Sequence, residues 1–287
     1  MAKRTVNVLI SNDDGPPSAA SPFLETFVDT LKTTLGWNFK VAIPNSQRSW
    51  IGKGFLLSNE ITLSYFDRRT GLVTNAKPAS EDDEQVWTLL DATPSACVNI
   101  GLHNVFNIDD IDLVISGPNF GRNASNYSTL SSGTIGAAIE GALLGKKSIA
   151  LSFAFFSFDD TKNQANVNRA CNQAVHVIKN LWENWPEDHA ELYNVNIPVI
   201  PDGPVPLIHF TTIHRNNFGG VFEEHVDEKD GKTKFRFRPK MPNTEIPEGT
   251  DLWAVLNKQI SITPMRAAFD IVSHDLDQMN GRIFPKI

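Results

Sequence analysis

Residues 6–15 read Val6-Asn7-Val8-Leu9-Ile10-Ser11-Asn12-Asp13-Asp14-Gly15, and their reading decides the fold. Val6, Val8, Leu9 and Ile10 form a short apolar run bounded by turn residues, the pattern of a strand buried inside a parallel sheet. The polar group Ser11 to Gly15 follows without a break. In open α/β sheets, ligands bind beyond the carboxyl ends of the strands. Two adjacent carboxylates placed there repel each other unless solvated, protonated or bridged by a cation. The cation reading makes Asp13 and Asp14 a hard-oxygen site suited to magnesium or manganese. The plain alternative is a solvated turn that caps the next helix.

Outward from this stretch, Phe23, Phe27, Leu31 and Leu35 recur at helical spacing, with Ser21 as the expected N-cap, Pro22 in the first turn and Gly36 as the stop. Residues 39–43 (FKVAI) then read as a second strand, so residues 6–43 form one β-α-β unit. The polar loop NSQRSWIGKG follows that strand and carries Ser49, a possible oxygen ligand, and Lys53, a possible contact for an anionic substrate; a surface loop is its plain reading. Residues 86–90 (VWTLL) read as a strand, with Thr93 and Pro94 opening a helix. The run Leu113-Val114-Ile115 repeats the logic of the opening strand and leads into a glycine-bearing loop with Asn119 and Asn123. Asn119 can add a neutral oxygen to two carboxylates around a cation.

Ser131, Ser132, Gly133 and Thr134 precede a helix rich in small residues. A helix N-terminus with hydroxyls beside it makes a phosphate cradle, though capping alone also favours these residues. Strands are expected at 148–153 and 191–198, with a long amphipathic helix between them. From about residue 200 the texture turns to β structure. Residues 220–226 and 234–239 flank a turn at Asp230-Gly231, and a helix and strand follow at 250–265. The hairpin reads as a dimer arm or a lid.

Composition is that of a globular α/β protein, with 287 residues, 41% hydrophobic and 21% charged. Against 26 Lys and Arg stand 33 Asp and Glu, a formal charge of −7, which gives no reason to expect long bound nucleic acid. Cys97 and Cys171 lack metal-ligand spacing and make no disulfide framework. No leader-like or membrane-length apolar run stands out, so the expectation is a cytoplasmic protein. His209 and His214 fall in no interpretable motif.

SNDDG, IPNSQRSWIG, DATPSACV, SGPNFGRN, SSGTIGAAIEG and TDLWAVLNKQISITP, in that order, resemble the SurE (survival protein E) nucleotidases and acid phosphatases. QRSWIGK and the Pro-Pro after NDDG resemble the fungal branch. The resemblance implies a Rossmann-like α/β/α core over about residues 1–200. It also implies an extension over about 200–287, and the whole reads as one phosphatase domain. It implies a divalent-metal phosphomonoesterase acting on nucleoside monophosphates, a homodimer or larger homo-oligomer assembled through the hairpin, and Mg²⁺ or Mn²⁺ as cofactor. Carried over by position, the metal ligands are Asp13, Asp14, Ser49 and Asn119, with Asp13 and Asp14 also catalytic. The phosphate contacts are Asn12, Asn123, Ser132, Gly133 and Thr134. In fungi such a domain is often joined to a tubulin–tyrosine-ligase-like ATP-grasp module, so a nucleotide-binding or scaffolding domain with weak turnover is the alternative. Departures from the bacterial pattern after NDDG and between residues 55 and 90 leave substrate choice open. Adjacent acids disfavour an aspartyl-phosphate phosphatase, which uses Asp-x-Asp, and the chain is too long for a phospho-receiver.

Overall fold

A computed structural model describes residues 4–57, 60–80, 83–186, 190–216, 219–238 and 245–269. The first strand, β1 (Asn7–Ser11), lies inside a ten-stranded sheet. It pairs in parallel with β2 (Asn38–Pro44) on one side and β6 (Leu113–Phe120) on the other. Between these come α1 (Leu24–Leu35), β3 (Leu63–Asp67), β4 (Leu72–Thr74), β5 (Val86–Leu90) and α2 (Pro94–Ile100). β5 extends the sheet in parallel beyond β2, and β3 and β4 add antiparallel strands to that flank. After β6 come the short helix α3 (Asn126–Ser131), α4 (Gly133–Leu143), β7 (Lys147–Phe155), α5 (Phe158–Lys162), α6 (Gln164–Glu183) and β8 (Leu192–Val199). β6, β7 and β8 are parallel neighbours. β9 (Ile208–Phe210) and β12 (Ile260–Met265) complete the sheet, with β12 antiparallel to β8. The pair β10 (Phe222–Val226) and β11 (Thr233–Phe237) forms a separate hairpin, and α7 (Asp251–Leu256) precedes β12.

Alternation along β1 sends its side chains into two layers. Val8 and Ile10 join Phe27, Val28 and Leu31 of α1 and Val167, Ala174 and Ile178 of α6 in one core. Leu9 faces the other way, among Val98 of α2, Leu102 and Ala137 of α4. The sheet is therefore covered on both faces, which is why its central strands read as continuous apolar runs. The connection after β1 leads through α1 to β2, whereas the connection after β5 leads through α2 to β6, on the opposite side of β1. The β1–β6 boundary is thus a switch point, where strand ends diverge and leave a crevice.

Local signals behave as their chemistry requires, with three corrections. Thr93 Oγ1 accepts from the Ala96 N–H at 3.2 Å and Pro94 opens α2. Gly36 ends α1 in the left-handed region at φ 65°. Ser21, however, does not cap α1; Phe23 holds that position with no side-chain bond. The Ser21 hydroxyl instead accepts from Asn12 Nδ2 at 3.4 Å, and its backbone pairs with Ser18. The strand expected to end at Ser116-Gly117 runs on to Phe120, with its register against β7 shifting between Ser116 and Asn119. Gly133 and Thr134 do not precede α4 but form its first turn, and Ser131 belongs to the unanticipated α3. Both cysteines are buried free thiols. No helix among the described residues is long and apolar enough to cross a membrane. The last part of the expected extension, from residue 270, lies outside the described residues.

The irregularity in β6 depends on Gly117. Its φ is +123°, and a Cβ there would sit 2.0 Å from the Leu151 carbonyl oxygen. Gly117→Ala is expected to cost about 3 kcal/mol or more, from steric overlap and backbone strain together. Urea denaturation checks this; a loss under about 1 kcal/mol would show that the strand relaxes around the methyl group.

Candidate functional site

The carboxyl ends of β1, β2 and β6 and the N-terminus of α4 converge on Asp13 and Asp14, each only 3% exposed. Asp13 Oδ1 accepts from the Thr134 hydroxyl at 2.6 Å, and the Thr134 N–H adds a second bond. Gly133 lies so close that a Cβ would come within 2.9 Å of the Asp13 Cβ. The first turn of α4 is therefore pressed against this carboxylate, whose charge suits the positive end of the helix dipole. Asp14 Oδ2 accepts from the Phe120 N–H at 2.7 Å and takes a further bond from the Gln47 side chain.

Two other expected residues are brought up by the backbone. The Arg48 N–H donates to the Asp13 carbonyl oxygen at 2.7 Å, which sets Ser49 one residue from a bond to the pair. Asn119 directly precedes the Phe120 N–H that holds Asp14. Asn119 Nδ2 donates to the Gly121 carbonyl at 2.8 Å, which fixes the amide and leaves its oxygen available. The Gly52 N–H donates to the Ser131 carbonyl at 2.8 Å, so the loop after β2 is tied to the segment that opens α4.

Other expected residues have framework bonds. Asn12 donates to the Gly15 carbonyl at 2.8 Å and accepts from the Gly15 N–H at 3.0 Å, closing the turn that carries the acidic pair. Asn123 donates its amide to Ser152 Oγ at 2.9 Å, while its backbone bonds to the buried amides of Asn194 and Asn196. Ser132 Oγ accepts from the Ile135 N–H at 3.1 Å and caps α4. Lys53, considered as a substrate contact, is paired with buried Glu140 at 2.8 Å, and Asn99 donates to the same carboxylate. His214 is buried beside Asp251, to which its N–H donates, and His209 rests edge-on against Trp253.

Sequence reasoning missed several of these partners. Asn194, Asn196 and Ser152 are wholly buried polar residues inside strands, and that oddity within apolar runs was their only signal. Asp251 accepts three backbone N–H bonds, from Ser125, His214 and Leu252, and so anchors the loop after Asn123. Arg122, between Asn119 and Asn123, is half-buried and has no hydrogen-bond or ion-pair partner among the described residues; burial pulls its pKa down.

Burial pushes the Asp13 carboxyl up from 3.8 to about 6, against the bonds from Thr134. Burial, and then the charge of Asp13, push Asp14 well above the usual carboxylate range. Among the described residues no three His, Cys, Asp or Glu side chains cluster as a metal site. The available donors are two carboxylates with neutral Asn and Ser oxygens. Two buried like charges, an all-oxygen donor set and a close helix N-terminus fit a hard divalent cation such as Mg²⁺ or Mn²⁺.

These features define an α/β protein with an acidic, oxygen-lined site at the switch point of a mostly parallel sheet. The model of the family "Survival protein SurE" matches residues 8–220, and the chain belongs to that family of nucleotidases and phosphatases. It is 30% identical to the 5'-nucleotidase SurE of Petrotoga mobilis over 91% of this chain and 92% of that one. It is 30% identical to the 5'-nucleotidase SurE of Archaeoglobus fulgidus over 97% and 100%. A Saccharomyces cerevisiae protein named "Probable tubulin--tyrosine ligase PBY1" is 29% identical over 96% of this chain, which spans 42% of that protein's length. The crystal structure of the SurE protein from Aquifex aeolicus shares the fold, with a TM-score of 0.71 at 24% identity, over 96% of this chain and 99% of that one.

The carboxylate pair makes metal-free stability depend on pH. Both folded-state pKa values lie above the unfolded ones, so the native protein holds an extra proton at Asp13 between about pH 4 and 6, and Asp14 shifts in the same direction. Chelated protein is therefore expected to lose stability as pH rises through that window. Asp14→Asn removes one buried charge and should stabilise the metal-free protein at pH 7 by on the order of 1–3 kcal/mol. Thermal denaturation in chelator at pH 5 and pH 7 checks both. A wild-type midpoint that rises with pH, or an Asn variant less stable than wild type at pH 7, would contradict the burial argument.

Proposed function

We propose that this chain hydrolyses phosphomonoesters, nucleoside monophosphates among them, with Mg²⁺ or Mn²⁺ held by Asp13, Asp14, Asn119 and Ser49. The observation that carries the reading is the buried pair Asp13-Asp14 set against the first turn of α4. When bound, the cation supplies positive charge to the phosphoryl group and acidifies a water molecule. The protein's part is to position and to take a proton. Thr134 fixes Asp13 through hydroxyl and N–H, and Phe120 and Gln47 fix Asp14. Each carboxylate oxygen has two lone pairs, so these bonds leave capacity for ligation and for the water's proton. The phosphate oxygens face Ser132 and Gly133 at the α4 terminus, with Asn12 and Asn123 holding the flanking turns. A homodimer joined through the β10–β11 hairpin completes the proposal; four of the hairpin's large apolar side chains, Phe222, Val226, Phe235 and Phe237, are exposed.

The likeness to a longer yeast protein named as a probable ligase favours one second reading. In it the chain is a nucleotide-binding or scaffolding domain with weak turnover, joined to an ATP-grasp module.

Phosphate release is expected from nucleoside monophosphates and p-nitrophenyl phosphate with Mg²⁺ or Mn²⁺, and not with chelator. Asp13→Asn should lower kcat at least about 100-fold with the fold intact by circular dichroism. Retained activity in that variant would remove Asp13 from the mechanism. Metal binding without release from any substrate would favour the second reading.

A further inference from the structure

Trp50 follows Ser49 directly and takes a left-handed conformation, with φ at 62°. A bulky residue there is a genuine outlier, because its Cβ crowds the backbone where glycine would not. Such strain persists where surrounding structure enforces it, often at binding sites. Here the enforcement is visible on both sides: Arg48 is tied to the Asp13 carbonyl and Gly52 to the Ser131 carbonyl. The indole is nevertheless 47% exposed, so core burial does not account for it.

The ring is part of a wall. Tyr127 of α3 lies 5.2 Å from Trp50 between ring centroids, and Phe237 of β11 lies 5.0 Å away. Phe222 of β10 meets Phe237 edge-on at 5.7 Å. Four aromatic rings from three distant segments thus gather beside the loop that carries Ser49 and the helix that leads to Ser132. A phosphate gains nothing from such a surface, and a ribose offers it only a small C–H face. A purine or pyrimidine does, because every base offers a π-face that stacks on an aromatic side chain.

We infer that Trp50, backed by Tyr127 and Phe237, is the surface on which the base of a nucleoside monophosphate stacks while its phosphate lies at Asp13, Asp14 and the α4 terminus. This rests on the phosphomonoesterase reading of the same site and adds what selects the leaving group. The competing account is that the wall only holds the hairpin against the body of the protein.

The test compares AMP with ribose 5-phosphate, which lacks a base, in wild type, Trp50→Gly and Trp50→Leu. Glycine relieves the left-handed strain, and leucine keeps apolar bulk without a π-face. In both variants KM for AMP should rise roughly 5- to 100-fold, the range expected for one lost stacking contact. The loss on ribose 5-phosphate should be at least fivefold smaller. Trp50→Phe should recover most of the AMP affinity. Equal losses on the two substrates, or no loss on AMP, would overturn the inference while leaving hydrolysis intact. Calorimetric binding of AMP with Mg²⁺ gives the same comparison without turnover. If AMP binds in a Trp50-dependent way but is not hydrolysed, the base site stands and the phosphomonoesterase reading falls. If AMP neither binds nor reacts, both fall.

Discussion

Two adjacent carboxylates buried at one strand end constrain everything around them. Asp13 and Asp14 repel each other, and both are removed from the water that would screen them. A protein tolerates that only with compensation, and the fold supplies it from three directions. Thr134 brings a hydroxyl and an N–H from the start of α4, Phe120 brings an N–H from β6, and Gln47 brings an amide from the loop after β2. Burial keeps both carboxyls raised, with the charge of Asp13 adding to the effect on Asp14, and a divalent cation that binds there offsets both. The site is thus built at the expense of the metal-free fold.

That constraint explains the amide-rich framework. A loop that must hold Asn119 beside Asp14 cannot rest on apolar packing alone. Its backbone is fixed by Asn194 and Asn196 of β8 and, further along, by Asp251 at the start of α7, while Ser152 of β7 holds the Asn123 side chain. These groups are buried, and removing one partner would strand another without a hydrogen bond. The C-terminal segment therefore contributes to the site through Asp251 without touching the acidic pair.

The parallel core and the acidic stretch were legible because they rest on local chemistry. A strand buried on both faces must read as an apolar run, so β1, β5, β6 and β8 could be placed from sequence. Thr93, Pro94 and Gly36 marked helix ends by their own backbone chemistry. Ser21 misled because its hydroxyl has a partner in Asn12, nine positions earlier at the end of β1, and no local rule reveals that competition. Lys53 misled for the same reason, since Glu140 lies on a helix that sequence reading treats separately. α3 was missed because its six residues carry too few turns to show a period.

The two halves of the site differ in kind. The proposed phosphate half is formed by contiguous motifs at strand ends and one helix terminus, so its residue types announce themselves. The leaving-group half is assembled from Trp50, Tyr127, Phe222 and Phe237, which are far apart in sequence and share no motif. Its position follows from tertiary contacts between a loop, a short helix and a hairpin. Proteins with the same acidic pair can therefore differ in what they accept by changing one loop residue or the hairpin's approach. In this chain the strained indole beside Ser49 makes that choice in favour of a flat aromatic group, and the hairpin that covers it ties substrate selection to whatever else the hairpin contacts.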